Sequence, residues 1–433
     1  MKKRIMLGIS LALILVTLIS GISLAASPSL SVSKAEAEKA ALDLIQRFDD
    51  KMISWTKDSI VGEPVIYYAP DGNKSAYEYP VQTNGKDAGF ILVSARKDWE
   101  PVLEFSDGTP PSSYVTDAES VAKEMGYVLA DEKSTPMLYY FGAFSFAVQF
   151  GDGMKDSNDA IHLTTGNTIK ISDSSPQLKM DPVKAQKNWG DILGQESVSL
   201  LSKLSNSIFG KSTAEASVDI SVTQLEKRLL GYGEISGVPA FYQERYVWGH
   251  GDDRSFFADD YPDCVGYADD PWDDWDGCAP IAGAMVLGYW SEHGYPNIPD
   301  PDLGETEDTL IDHCHKFMGT NYDGETSTNM VAQGIEDLAN DDEYGFDYDF
   351  TCDDTYDYLY LVENEIDADR PCAMSMEDFE MEEDFNHTVC VYGYSDTIYG
   401  AYLHIWNTWN TNDYYIAWND WSDAYIHRVF PGS

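Results

Sequence analysis

The sequence predicts an α+β protein built as two successive units, each with helices packed on antiparallel strands. Three observations carry that expectation. Apolar residues repeat at helical spacing after Ser33 and again after Cys278. Short runs rich in Val, Ile, Tyr and Phe, bounded by Gly, Asn and Pro turn signals, follow each helix. At 433 residues the chain also exceeds the size of one ordinary domain.

Residues 1–26 read as a secretory leader: Lys2-Lys3-Arg4, then apolar or small residues from Ile5 to Leu24, then the small-residue pattern Ser23-Leu24-Ala25. An uncleaved anchor is the alternative, because about 18 apolar residues can span a bilayer. No later stretch is long and apolar enough to span, so the body is expected to be secreted or held at the cell surface.

Residues 27–175 read as a compact α+β unit. Ser33-Lys34-Ala35-Glu36 is a capping box, and Ala37, Ala40, Ala41, Leu44 and Ile45 supply the helix's apolar face. The period then changes to that of strands in Val65–Tyr68, Tyr77–Val81 and Gly89–Val93, separated by Pro70-Asp71-Gly72 and Asn84-Gly85. A second helix is expected near Ala118 to Leu129, and one strand over Met137 to Phe150. Residues 176–230 shift to Ser, Lys and Gln with amphipathic pieces such as Val198 to Leu204, and read as a linker open to cleavage. The second unit, 231–433, is dense in Tyr and Trp, with strands expected near 371–376, 388–394, 401–407 and 413–418.

Charge is unevenly divided. Gly231 to Ser433 holds 45 Asp and Glu against 5 Lys and Arg, a net of −40 out of −46 for the chain. Such a field repels nucleic acid and anionic membrane and attracts cationic partners at low salt. Solvation in a saline habitat and calcium loading are the competing explanations. The acidic loops Asp269 to Asp276 and Asn340 to Asp354 do not keep the register of a helix-loop-helix calcium site, so no cofactor is expected, with structural calcium as the alternative. His313-Cys314-His315 lacks zinc spacing, since alternate residues on a helix diverge.

All six cysteines (264, 278, 314, 352, 372 and 390) lie in the acidic half. Export permits disulfides, and a working thiol at Cys278 leaves at most two bridges. Cys372 and Cys390 fall in strand-like runs and are expected to be neighbours.

Cys278 opens an apolar helix, Cys278-Ala279-Pro280-Ile281 onward, with Gly277 before it and Pro280 in the first turn. A helix N-terminus favours the thiolate, which is the nucleophilic form. Asp273, Asp274 and Asp276 oppose it unless they face solvent. His387 begins the alternating strand Thr388 to Tyr394, a rigid mount for a proton acceptor. Asn407 follows twenty residues later at the end of Tyr402 to Trp406, where its side-chain oxygen would fix the imidazole tautomer. Trp409 would cover that bond. In this order Cys, His and Asn are the parts of a thiol hydrolase.

Glycine-cysteine opening an apolar helix, His387 to Tyr394, and Trp406-Asn407-Thr408-Trp409 together resemble papain-like cysteine peptidases. The short region and Val238-Pro239-Ala240-Phe241-Tyr242-Gln243 are more similar to the bacteriocin-leader-processing branch. That resemblance implies that Gln243 donates to the oxyanion with the N–H of Cys278, although 35 positions separate the two. Gly89 to Ala95 followed by Pro101 to Gly108 resembles the pro-segments of streptopain-type peptidases, which implies a zymogen; a permanent accessory domain is the alternative. The fold expected is therefore a pro-like α+β domain followed by a papain-like catalytic domain, working as a monomer on peptide or protein substrates, cationic ones favoured. Two rivals use the same residues: a Cys-His-Asn amidase or amide transferase, and a noncatalytic extracellular binding module with its cysteines bridged.

Overall fold

Ser33 caps the first helix as its sequence requires: its hydroxyl accepts from the N–H of Glu36, and the Glu36 carboxylate accepts from the N–H of Ser33. Helix α1 (Lys34–Phe48) buries Ala37, Ala40, Ala41, Leu44, Ile45 and Phe48 against the sheet behind it. The computed structural model describes residues 30–49, 51–52, 54–127, 136–151, 154–155, 158–171, 178–194, 231–242, 276–298, 307–321, 324–341, 346–378, 385–397 and 400–432. The leader 1–26 and most of the 176–230 segment fall outside them.

The N-terminal strands are β1 (Ile60–Val61), β2 (Val65–Tyr68), β3 (Lys74–Thr83), β4 (Lys86–Ser94) and β5 (Val102–Ser106). Helix α2 (Val115–Glu124) follows, with Ala118 and Ala122 buried. The single strand expected over Met137 to Phe150 is instead a hairpin, β6 (Met137–Gly142) and β7 (Ser145–Gln149), because Gly142 and Phe144 take positive φ and turn the chain. Strands β8 (Asp159–His162) and β9 (Thr168–Lys170) complete this part.

Helix α3 (Pro182–Leu193) lies within the 176–230 segment. Asp181 caps its N-terminus, Pro182 fills its first position, and Gly194 closes it in the left-handed conformation. Trp189 Nε1 donates to Trp99 O at 3.1 Å and Asn188 Nδ2 to Glu100 Oε2 at 2.7 Å, so this helix packs on the N-terminal half.

The C-terminal half contains β10 (Gly231–Glu234), α4 (Cys278–Ser291), α5 (Glu307–Met318), α6 (Val331–Asn340), β11 (Thr351–Tyr356), α7 (Leu359–Ile366), β12 (Cys372–Asp378), β13 (Phe385–Thr397), β14 (Gly400–Trp406), β15 (Tyr414–Ala417) and β16 (Asp423–Phe430). Every strand named belongs to one mixed sheet, antiparallel at each junction but β2 with β6, so the α+β class holds. The halves join where β15 pairs with β5, Tyr414 opposite Ser106 and Ile416 opposite Glu104. Aromatic rings knit this seam: Phe105 stacks on Tyr415 at 4.5 Å, with Phe48 and Tyr402 edge-on to Phe105. Each such pair adds roughly 0.5–1.5 kcal/mol beyond the area it buries.

Candidate active site

Helix α4 is apolar on all sides, and all sides are used: residues 279–287 are buried between α5, α6, β12 and β13. Its N-terminus, the positive end of the helix dipole, is at Cys278. Gly277 feeds it with φ +94°, and a Cβ there would lie 2.2 Å from Gly324 O. Only glycine lets the chain enter the helix at this point.

The sulfur of Cys278 meets β13. Strand β12 lines one edge of β13 through residues 385–391, whereas β14 pairs with the other edge only from Cys390 onward. At Thr388 that second edge is open, and its N–H donates to Cys278 Sγ at 3.3 Å. A main-chain donor on the sulfur favours its anionic form. His387, the preceding residue, is buried, and its Nε2 lies 2.9 Å from Asn407 O. A carbonyl can only accept, so Nε2 carries the proton and Nδ1 is left as the basic nitrogen. Trp409 stacks on the imidazole at 3.9 Å and 14°, shielding that bond from water.

The structure thus brings Cys278, His387 and Asn407 together, with one difference from expectation. Asn407 holds the imidazole through its main-chain oxygen, not its side chain. Its Oδ1 instead accepts from the N–H groups of Trp409 and Asn410, both at 3.1 Å, and so caps the turn in which Thr408 takes φ +67°. Gln243 lies outside the described residues. The segment leading to it runs along α4: Trp406 Nε1 donates to Val238 O at 3.3 Å, and Pro239 and Phe241 lie over Gly288.

The carboxylate of Asp276 is neither in solvent nor alone. It is buried, with Oδ1 3.3 Å from Nδ1 of buried His315 on α5. Asp273 and Asp274 lie outside the described residues.

The disulfides expected from export are not formed among the described residues, where all five cysteines carry thiols. Cys372 and Cys390 are neighbours, Cys372 opposite Val391 and Cys390 opposite Ala373. Side chains alternate along a strand, so these adjacent rungs send the two thiols to opposite faces and they do not bridge. Burial pushes the thiols of Cys314, Cys352, Cys372 and Cys390 well above the ordinary cysteine range. They are protonated and inert at neutral pH. Among the described residues, no group of three or more His, Cys, Asp or Glu is placed to hold a metal ion. Of the two acidic loops weighed for calcium, Asp269 to Trp275 and 342–345 lie outside those residues.

Three features escaped sequence reasoning. Phe144, at the tip of the β6–β7 hairpin, sets its ring edge-on to His387 at 5.2 Å and to Trp409 at 5.6 Å. The N-terminal half therefore reaches the imidazole of His387, a contact between residues 243 positions apart that no local pattern announces. Ser375, His427 and Asp354 form a hydrogen-bonded chain, with Ser375 Oγ 2.8 Å from His427 Nε2 and His427 Nδ1 2.6 Å from Asp354 Oδ1. Ser375 is buried and also 2.8 Å from Thr388 Oγ1, so this chain ties β11, β16, β12 and β13 together rather than meeting a substrate. The third is the Asp276–His315 pair.

Residues 260–429 match the Peptidase_C39 like family. The match spans Cys278, His387 and Asn407 and begins after Gln243. It supports cysteine peptidase activity at the level of the family, within the papain-like superfamily. No curated protein matches the chain.

Proposed function

We propose that this chain is an exported cysteine peptidase, made as a zymogen, that hydrolyses peptide bonds with Cys278, His387 and Asn407. The observation that carries the reading is the sulfur of Cys278 at a buried helix N-terminus, bonded by Thr388 N–H beside an imidazole whose tautomer Asn407 O sets. In the cycle, Nδ1 of His387 takes the thiol proton and the thiolate attacks the scissile carbonyl carbon. The N–H of Cys278, with Gln243, meets the resulting oxyanion. Collapse breaks the C–N bond, the imidazolium hands its proton to the leaving amine, and an acyl-thioester remains. Water, deprotonated by His387, then releases the acid and restores the thiol.

Two contacts support a pro-domain role for the N-terminal half: Phe144 sits on the face of the site that His387 presents, and β5 extends the catalytic sheet. A substrate-like thiol-directed epoxide tests both parts. The intact chain is expected to label slowly at Cys278, and a chain cut within 195–230 at least tenfold faster. His387→Ala is expected to remove the labelling in both. Labelling at another cysteine, or undiminished labelling in His387→Ala, refutes the assignment. Equal rates before and after the cut favour a permanent accessory domain.

The charge of the C-terminal half, net −40, supports cationic peptides as preferred substrates. Their advantage in kcat/KM over neutral peptides is expected to shrink severalfold between about 0.01 and 1 M salt, as the screening length falls from roughly 30 to 3 Å. A preference for acidic peptides that ignores salt contradicts it. Hydrolysis products, as opposed to transfer onto an added amine, separate peptidase from amide transferase.

A further inference from the structure

Asp276 precedes the nucleophile by two residues, so their Cα atoms are at most about 7 Å apart. A lone carboxylate at that range and shielded from water holds a nearby thiol in its protonated form. Burial makes such a carboxylate costly in its own right unless it is paired. His315 supplies the partner, wholly buried on α5 with Nδ1 3.3 Å from Asp276 Oδ1. An imidazolium beside a carboxylate leaves the pair with no net charge.

The charged groups of the described elements around Asp276 are these. Helix α4 has no charged residue. Besides His315, α5 carries Glu307, Asp308, Asp312, His313, Cys314 and Lys316; Cys314 faces Gly283 of α4, and burial brings His313 down to about 4, so it stays neutral. On α6, Glu336 accepts from Cys352 N–H and Asp337 from Gln333. Glu325, next to the loop that Gly277 crosses, is bonded to Asn321.

We propose that His315 is a positioning residue for the nucleophile: its pairing with Asp276 locks the Asp276-Gly277-Cys278 turn onto α5 and cancels a carboxylate charge that opposes the thiolate. The inference rests on Cys278 being the nucleophile, and the test separates the two ideas. The full chain is alkylated with iodoacetamide across a pH series, and the Cys278 peptide is quantified by mass spectrometry. In the native chain the midpoint is expected well below the roughly 8.5 of an ordinary thiol. His315→Gln is expected to raise the midpoint by about one unit, which slows alkylation about tenfold at pH values below both midpoints. Adding Asp276→Asn removes the charge, and the double variant is expected to return to within about twofold of the native rate.

A His315→Gln profile that overlays the native one overturns the proposal. So does a double variant as slow as the single one, since packing rather than charge then explains the loss. Asp276→Asn alone keeps the shape of the site, and a raised midpoint in that variant overturns it too, whether or not His315→Gln folds. An ordinary midpoint in the native chain removes the nucleophile itself, and the proposal with it.

Discussion

Glu104→Gln is expected to flatten the dependence of stability on pH between about 4.5 and 7, where the native chain is expected to lose stability as pH rises. Glu104 on β5 is fully buried at the seam between the halves. It is hydrogen-bonded to the hydroxyls of Tyr140 and Tyr414 and accepts from Phe144 N–H. Tyr140 is also bonded to Asp420, from the other half. A tyrosine hydroxyl has one hydrogen and cannot donate to two carboxylates, so one of the pair Glu104 and Asp420 must carry a proton. Burial raises Glu104 from 4.5 to about 7, outweighing its hydrogen bonds. The sign follows from proton binding: between those values the folded chain holds a proton that the unfolded chain has released. The stabilisation is complete below about 4.5 and is lost as pH rises through about 7. At about 1.36 kcal/mol per unit, the window is worth on the order of 3 kcal/mol. Urea denaturation of both proteins from pH 4.5 to 8 measures it. Asp107, which burial takes to about 6, and Glu100, also to about 6, leave a residual slope in the variant. Parallel curves for the two proteins would sink the account.

The same seam shows which parts of the structure were readable in the chain. Helix α1 and the presence of β2, β3 and β13 were legible because capping, period and turn residues act within a few positions, although β3 and β13 each begin three residues before the expected start. The settings of Cys278 at a helix mouth and of His387 near a strand start were legible for a related reason: both are local. Asn407 was legible as a residue but not as an atom. Both its oxygens are hydrogen-bond acceptors, and the turn to Asn410 claims the side-chain one. Phe144 and the β5–β15 pairing were not legible, because they depend on how two distant segments of one sheet meet. The burial of Asp276 was left open for a general reason: an aspartate in an acidic run can face solvent or the core, and only the partner that permits its burial decides which. His315 lies 39 positions away.

Gly277→Ala is expected to destabilise the protein by about 3 kcal/mol or more and to lower alkylation of Cys278 and peptide cleavage by at least about 100-fold. Two costs add. A backbone at φ +94° and ψ 157° is essentially reserved to glycine and costs a residue with a Cβ roughly 1–3 kcal/mol. The new Cβ also falls 2.2 Å from Gly324 O and 3.0 Å from Gly324 C, main-chain atoms that cannot rotate aside as a side chain would. Relief requires the turn or the 324 loop to move, and either shift carries the sulfur away from Thr388 N–H. A displacement of about 1 Å at a reacting atom is enough for a loss of about 100-fold. Gly294→Ala is the control, since Gly294 has φ +112° but nothing within 4 Å of its added Cβ. That variant is expected to lose only about 1 kcal/mol and to keep the native alkylation rate. Thermal melts and alkylation rates on both variants decide the matter. If Gly277→Ala behaves like Gly294→Ala, backbone conformation alone matters at position 277 and the close approach to Gly324 does not set the nucleophile.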